Sequence, residues 1–274
     1  MRQKPKVIYV AGSGRSGSTM LSLLLSQHPR IANLGQIRDV FLARSNGARC
    51  SCGALLGDCA VWGPVLSLRP SETHRLGTLP QDAVLAAYCV AFKATAARVA
   101  VDSSKSVDLC RLLQNAPEVD LYCLNLIRDP RAVAVSWSKV LGNQDLLRKR
   151  CRNWVARQKR IEQLEQGSGM HYLPLRYEDL VRDPKATVAR IQTWAGVTPD
   201  LSAFESTTVA RISWDHQHLF APANETVLRE RATRIQIAEA VAWKAAKHAQ
   251  VRAMATEICF PFAKRYGYRL EVGL

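Results

Sequence analysis

A glycine-rich loop between a short apolar run and a helical pattern constrains this chain more than any other feature. Residues 7–10 are apolar, residues 12–19 read Gly-Ser-Gly-Arg-Ser-Gly-Ser-Thr, and residues 20–25 continue as a largely apolar helical pattern. A strand, a tight turn and a helix in this order point backbone N–H groups and the positive end of the helix at an anion. The glycine and hydroxyl residues exceed what a plain turn needs, so the loop is predicted to bind phosphate.

A dinucleotide-binding fold accounts for only part of this pattern. Gly12, Gly14 and Gly17 have the spacing of its fingerprint. That fold also needs a carboxylate about 20 residues later, at the end of the second strand. Residues 33–36 read Asn-Leu-Gly-Gln, and Asp39 lies slightly beyond them and outside any clear strand. The pattern therefore argues against a dinucleotide site.

A nucleotide triphosphatase also fits only in part. Gly12 and Gly17 have the right spacing, but Ser18 stands where a lysine should neutralise the β- and γ-phosphates. The missing lysine argues against hydrolysis of ATP or GTP. A small-molecule kinase of the same ancestry stays an alternative, which magnesium-dependent ATP binding would favour.

The rest of the chain alternates short apolar runs with helical patterns. Further runs at residues 99–101, 121–127 and 172–175 are typical of buried parallel strands. Pro130 after Asp129 marks a helix start, because proline suits the first turn behind an aspartate cap. Pro184 after Asp183 marks a second start, for a helix ending near Gly196. A third helix is predicted over residues 232–258, with Pro261 beyond its end, after a loop over 211–224.

These elements predict an α/β fold with a single P-loop-like domain over residues 1–274, in which helices flank a central parallel sheet. Stretches at about 40–98 and 200–232 are predicted to be insertions on the acceptor side and over the nucleotide. Ligands of such sheets bind beyond the carboxyl ends of the strands. Those ends carry Arg15, Lys105 and Arg128, so positive charge is expected to converge in one crevice.

Two motifs resemble those of sulfotransferases that use 3′-phosphoadenosine 5′-phosphosulfate (PAPS). Residues 15–19, Arg-Ser-Gly-Ser-Thr, are similar to the loop that holds the 5′-phosphosulfate in that superfamily. Residues 124–137 are similar to its 3′-phosphate motif, with Arg128 at a strand end and Ser136 on the following helix. The overall layout resembles the soluble bacterial branch, related to the carbohydrate and tyrosylprotein sulfotransferases. The resemblance is patchy over residues 63–97.

The resemblance implies metal-independent sulfuryl transfer from PAPS, with 3′-phosphoadenosine 5′-phosphate (PAP) as product. Arg15 and Lys105 would neutralise the leaving oxygen, and Arg128 and Ser136 would hold the 3′-phosphate. Tyr177, in a segment similar to the family's Tyr-Glu-Asp motif, would approach the adenine. Further donor-binding residues implied in the loop and in the segment closing over the nucleotide are Gly14, Ser16, Gly17, Ser18, Thr19 and Arg229.

Gln36 is a departure from the related branch, in which a glutamate at this place serves as general base. An amide cannot accept a proton near neutral pH. Three explanations stay open: Gln36 replaces a natural glutamate, which we favour; the acceptor is acidic enough to need no base; or Asp39, His28 or His218 serves instead.

The net charge of +15 favours an anionic partner. A nucleic-acid-binding protein is therefore the main alternative from another class, supported by the basic run at residues 148–152. That run lies in a helical pattern and is more typical of a solvated face. We expect a small-molecule or carbohydrate-like hydroxyl acceptor and no nucleic acid, and a homodimer is left open. No apolar run is long enough for a signal peptide or a membrane span, which predicts a cytoplasmic protein.

The chain has eight cysteines, of which Cys50, Cys52 and Cys59 lie close together. Without a secretory signal, a disulfide framework is not expected. A zinc site usually needs a second pair of ligands at similar spacing, and the neighbouring sequence offers none. The sequence therefore predicts no metal and a packing role for these thiols.

Overall fold

A five-stranded parallel sheet forms the centre of the molecule. The computed structural model describes residues 4–40, 47–67, 81–95, 97–166, 169–221 and 224–269. The strands lie in the order β2-β3-β1-β4-β5. Their bounds are β1 (Lys6–Gly12), β2 (Ile31–Asn33), β3 (Val99–Asp102), β4 (Asp120–Ile127) and β5 (His171–Arg176). Because every pairing is parallel, all the carboxyl ends meet at one edge.

Helices cover both faces of this sheet, and the predicted α/β fold is confirmed. Side chains of β1 alternate between two apolar clusters, with Val7 and Tyr9 in one and Ile8 and Val10 in the other. Both faces are buried, which explains the unbroken apolar run. The helices are α1 (Ser18–Leu25), α2 (Trp62–Ser67), α3 (Gln81–Thr95), α4 (Val107–Gln114), α5 (Pro130–Ser138), α6 (Gln144–Glu165), α7 (Tyr177–Arg182), α8 (Pro184–Trp194), α9 (Glu225–Glu230) and α10 (Ala249–Ala263).

The two predicted helix starts are confirmed by their caps. The Asp129 carboxylate accepts a hydrogen bond from the backbone of Arg131 at 2.8 Å, and Pro130 occupies the first turn of α5. The Asp183 carboxylate likewise accepts from the backbone of Ala186 at 3.1 Å. Each cap satisfies a backbone donor that the first helical turn leaves free. The first cap matters most for function, because it fixes the turn directly after the end of β4.

The predicted helix over residues 232–258 is wrong. A short strand, β7 (Arg234–Gln236), pairs antiparallel with β6 (Val209–Arg211) in this region. The helix begins only at Ala249 and continues through Pro261 to Ala263. Its last turn buries Phe262, whose ring contacts Trp154 of α6 edge to face at 6.4 Å. This packing holds the last turn in place although Pro261 lacks an N–H donor.

The predicted insertions are described only in part. Residues 41–46, 68–80 and 96 of the first insertion and residues 222–223 of the second lie outside the described residues. The described part of the first insertion places Trp62 and Tyr88 in the apolar cluster beneath the sheet. Within the described part of the chain, no helix is long and apolar enough to cross a membrane.

Candidate active site

The glycine-rich loop leaves β1 and enters α1 through a tightly packed turn. Gly12 has a φ of 119°, and a Cβ there would lie 2.3 Å from the Leu126 carbonyl oxygen of β4. Gly17 has a φ of 93°, and its Cβ would lie 2.5 Å from the Tyr177 ring. Only glycine fits such close approaches at positive φ. The loop is thereby held against β4 and α7, with the N-terminus of α1 facing the carboxyl edge of the sheet.

Lys105 reaches this loop from the segment that follows β3. Its Nζ donates to Ser18 Oγ at 3.1 Å and to the Ser103 carbonyl at 2.7 Å. Lys105 has a φ of 57°, in the left-handed region. The buried Asp102 carboxylate braces the segment by accepting from the Ser104 backbone at 2.7 Å. Burial lowers the pKa of the Lys105 ammonium to about 8, and attraction to Asp102 offsets this only in part.

Arg128 lies at the end of β4, directly beside the loop. Its guanidinium donates to the Arg15 carbonyl at 3.1 Å and stacks 4.2 Å from the centre of the Tyr177 ring. Its Nε is buried and has no hydrogen-bond partner among the described residues. The adjacent Asp129 is paired with Arg131 at 2.7 Å instead. The guanidinium therefore has no carboxylate partner among the described residues.

A cavity of about 720 Å³ opens where these elements meet. Of the residues that line it, six are basic and only Glu225 is acidic. Apart from Arg38, which pairs with Asp39 at 3.0 Å, the basic side chains have no carboxylate within 4.0 Å in the described parts of the chain. Unpaired cations in a shared cavity favour an anionic ligand. The site residues predicted from sequence that line it are Gly14, Arg15, Gly17, Ser18, Thr19, Gln36, Lys105, Arg128 and Ser136.

Three predicted site residues do not line this cavity. The Ser16 hydroxyl donates to the Ser13 carbonyl at 2.9 Å and is buried inside the loop. The Tyr177 ring is buried between Gly17 and Arg128. Arg229 is exposed on α9, whereas residues 224–227, before it and at the start of that helix, line the cavity.

Among the cavity residues that were not predicted from sequence are Arg150 and Arg157. Both lie on α6, seven residues apart and therefore on one helix face. Arg157 donates to the Lys105 carbonyl, and the Arg150 guanidinium stacks 4.4 Å from the Trp137 ring centre. Arg15 approaches the same ring at 5.1 Å. The seven-residue spacing is a usable signal, but the basic run over residues 148–152 alone predicts a solvated face.

The residues considered for the role of general base differ in whether they line the cavity. Gln36 lines the cavity. Asp39 is held by its ion pair with Arg38. His28 accepts from the Arg30 backbone through Nδ1, and its Nε2 lies 3.0 Å from the Thr198 carbonyl, away from the cavity. His218 contacts cysteine thiols instead. Neither histidine lines the cavity.

The comparisons with known proteins find one family model over part of the chain and several solved structures of the same fold. Residues 82–200, which contain Lys105, Arg128, Ser136 and Tyr177, match the model of a family described as the sulfotransferase family. No curated protein sequence matches the chain. Among solved structures, the sulfotransferase domain of the curacin biosynthetic pathway is 18% identical, with a TM-score of 0.59 over 97% of this chain and 99% of that one.

Two further structures have the same fold. The sulfotransferase domain of the Synechococcus PCC 7002 olefin synthase is 19% identical, with a TM-score of 0.55 and coverage of 98% of both chains. A sulfotransferase from Mycobacterium avium is 15% identical, with a TM-score of 0.50 over 98% of this chain and 79% of that one. At such identities the structural similarity shows the fold.

Proposed function

We propose that the chain is a PAPS-dependent sulfotransferase, which transfers a sulfuryl group from PAPS to a hydroxyl of a small-molecule or carbohydrate-like acceptor; the support is the match of residues 82–200 to the sulfotransferase family model and the shared fold. One observation carries the proposal. A single cavity joins the glycine-rich loop to Arg15, Lys105 and Arg128, none of which has a carboxylate partner among the described residues. A donor with phosphate groups on both the 5′ and the 3′ oxygens of its ribose needs several such cations.

The 5′-phosphosulfate lies over the loop in this proposal. The backbone and hydroxyl groups of Ser18 and Thr19 donate to the 5′-phosphate at the N-terminus of α1. The contact of 3.1 Å between Lys105 Nζ and Ser18 Oγ supports it, since it aims the ammonium at the same point as the loop. Arg15 and Lys105 then flank the oxygen that bridges phosphorus and sulfur.

The 3′-phosphate lies between Arg128 and Ser136 in this proposal. The support is that the Arg128 Nε has no partner among the described residues, while Ser136 lines the same cavity from α5. A planar guanidinium donates two charge-assisted hydrogen bonds to phosphate, which makes it well suited to this role. A 3′-phosphate site distinguishes PAPS from ATP, and Ser18 in place of a lysine agrees with that choice.

The reaction is an in-line displacement at sulfur. The acceptor oxygen attacks, a new sulfur–oxygen bond forms, and the bond between sulfur and the bridging oxygen breaks, so that PAP leaves with the bonding electron pair. Negative charge grows on the bridging oxygen, where Arg15 and Lys105 stabilise it. One preorganised donor of this kind contributes about 3 kcal/mol to lowering the barrier.

Position 36 is a glutamine and offers no carboxylate to take the proton from the hydroxyl that receives the sulfuryl group. Gln36 orients the acceptor hydroxyl through its amide, and the proton passes to solvent or to a basic group of the acceptor. A general base typically contributes about 100-fold or more to such a step. Among hydroxyl acceptors, acidic ones such as phenols should therefore react faster than sugars.

Release of PAP from PAPS tests this function. The enzyme is incubated with PAPS and a panel of phenols and sugars, and PAP is quantified by chromatography. We expect acceptor-dependent release that Arg15→Ala largely abolishes. Arg160→Ala is the matched control, since Arg160 pairs with Asp108 on the exposed side of α6. No release above buffer with any acceptor, or no difference between the two variants, would contradict the proposal.

A further inference from the structure

A second cluster of reactive side chains lies outside the nucleotide cavity. Cys50, Cys52, Cys59 and His218 each offer one ligand atom, and these four atoms lie within 4.8 Å of one another. The Cys50 and Cys59 sulfurs are each 3.6 Å from His218 Nδ1, and the Cys52 and Cys59 sulfurs are 3.7 Å apart. All three cysteines are free. The sulfuryl-transfer chemistry does not use any of these residues.

Three of the six separations among these ligand atoms match the geometry of a tetrahedral zinc site. Zinc binds thiolate sulfur at about 2.3 Å and imidazole nitrogen at about 2.0–2.1 Å. At tetrahedral angles these bonds place two sulfurs about 3.8 Å apart and sulfur and nitrogen about 3.6 Å apart. The observed 3.7 Å and 3.6 Å agree with both values. All four ligand atoms lie within 4.8 Å of one another, so small side-chain adjustments bring them onto one ion.

We propose that Cys50, Cys52, Cys59 and His218 form a structural zinc centre with one ion per chain. Three thiolates and an imidazole are a soft donor set that selects zinc over magnesium or calcium. Four protein ligands complete the coordination shell, which is typical of structural sites, whereas catalytic sites keep a position open for water. Binding displaces the thiol protons to solvent.

Two tight turns place the three thiols. The Cys50 backbone donates to the Ala54 carbonyl at 2.9 Å, and the Gly53 backbone donates to the Cys50 carbonyl at 2.9 Å. Gly53 has a φ of 95°, which permits this reversal directly after Cys52. The Cys59 backbone donates to the Leu55 carbonyl at 3.0 Å and turns the third thiol back towards the first two.

The histidine arrives from a segment 159 residues away along the chain from Cys59. Its backbone is fixed on both sides, because the His218 N–H donates to the Asn33 carbonyl at 2.9 Å and its carbonyl accepts from the Trp62 indole at 3.0 Å. The Ser51 backbone also donates to the Leu219 carbonyl at 2.8 Å. Backbone hydrogen bonds therefore hold the histidine segment beside the cysteine segment, so the fold itself brings the four ligands together.

The zinc centre would connect the acceptor side of the site to the segment that closes over the donor. It joins residues 50–59 to residues 217–220, which lead to Asn224 and the cavity-lining start of α9. Leu219 and Asn224 also pack on Gly35, beside Gln36. Loss of the metal should therefore lower the thermal midpoint and loosen this part of the cavity.

Metal analysis of tag-free full-length protein, purified under reducing conditions without chelators, tests the proposal. We expect one equivalent of zinc per chain by elemental mass spectrometry. Cys52→Ala should lose the zinc while keeping its far-ultraviolet circular dichroism, because Cys52 is exposed and its truncation leaves no buried void. Cys89→Ala, which removes an exposed thiol of α3, is the matched control and should keep the zinc.

Cobalt substitution provides a readout at the ligands themselves. Reduced apoprotein titrated with Co²⁺ should show the visible bands of a tetrahedral thiolate site, and Cys52→Ala should not. Protein without zinc whose apo form gives no such bands would overturn the proposal. A Cys52–Cys59 disulfide in protein freshly purified under reducing conditions would overturn it too, in favour of a redox pair. None of these outcomes depends on which donor the nucleotide cavity binds.

Discussion

Replacing Arg128 with glutamine tests the proposed 3′-phosphate site most sharply. The guanidinium has a buried Nε without a partner among the described residues and lies at the end of β4, beside the loop. A hydrogen bond to a charged group contributes about 1.5–3 kcal/mol. Glutamine keeps one uncharged donor, so we expect a loss of about 3 kcal/mol, or about 100-fold in PAP affinity.

The assay is calorimetry with PAP and with adenosine 5′-phosphosulfate, which lacks the 3′-phosphate. Because Arg128 also donates to the Arg15 carbonyl, some loss for both ligands is expected from a loosened loop. The loss specific to PAP isolates the 3′-phosphate contact. Arg182→Gln is the control, since Arg182 forms an exposed ion pair with Asp179. Equal weakening of both ligands by Arg128→Gln would refute the assignment.

Gln36→Glu supplies a carboxylate inside the cavity and should raise turnover of PAPS at least about tenfold with little change in PAP affinity; an unchanged rate of PAP release would remove position 36 from the base role. PAP affinity should be constant between about pH 7 and 8, where the phosphate groups are ionised, and fall as the pH rises through about 8, because Lys105 then loses its charge. Lys105→Arg should abolish that fall in calorimetry, and a flat profile for the native protein would contradict the role of Lys105. Gly17→Ala places a methyl group against the Tyr177 ring at positive φ and should lower the free energy of unfolding by about 1–3 kcal/mol. Urea denaturation with no such loss would show that the loop tolerates a side chain there.

Local features of the sequence were enough to predict the sheet and the loop. The continuous apolar runs arise because both faces of each strand are buried, and the glycines of the loop are needed where β4 and α7 approach it. The aspartate–proline pairs mark helix starts because they satisfy or avoid the backbone donors of the first turn. Each of these signals depends on a few neighbouring residues and therefore survives without knowledge of the tertiary structure.

Features that depend on docking between distant elements were missed. Arg150 and Arg157 reach the cavity only because α6 packs beside the Lys105 segment. His218 joins Cys50 and Cys59 across most of the chain, so cysteine spacing alone gave no fourth ligand. The α10 helix continues through Pro261 because Phe262 packs against α6. Tertiary contacts determined each of these outcomes, and local propensity could not predict them.

Calorimetry of the purified protein with PAP and with magnesium–ATP tests the central claim most directly. In the proposal, Arg15 and Lys105 bind the donor at the loop and Arg128 and Ser136 bind its 3′-phosphate in the same cavity, and Ser18 stands where ATP requires a lysine. We predict that PAP binds with one site per chain and that magnesium–ATP gives no measurable heat. Binding of magnesium–ATP without binding of PAP would contradict the account and favour a kinase.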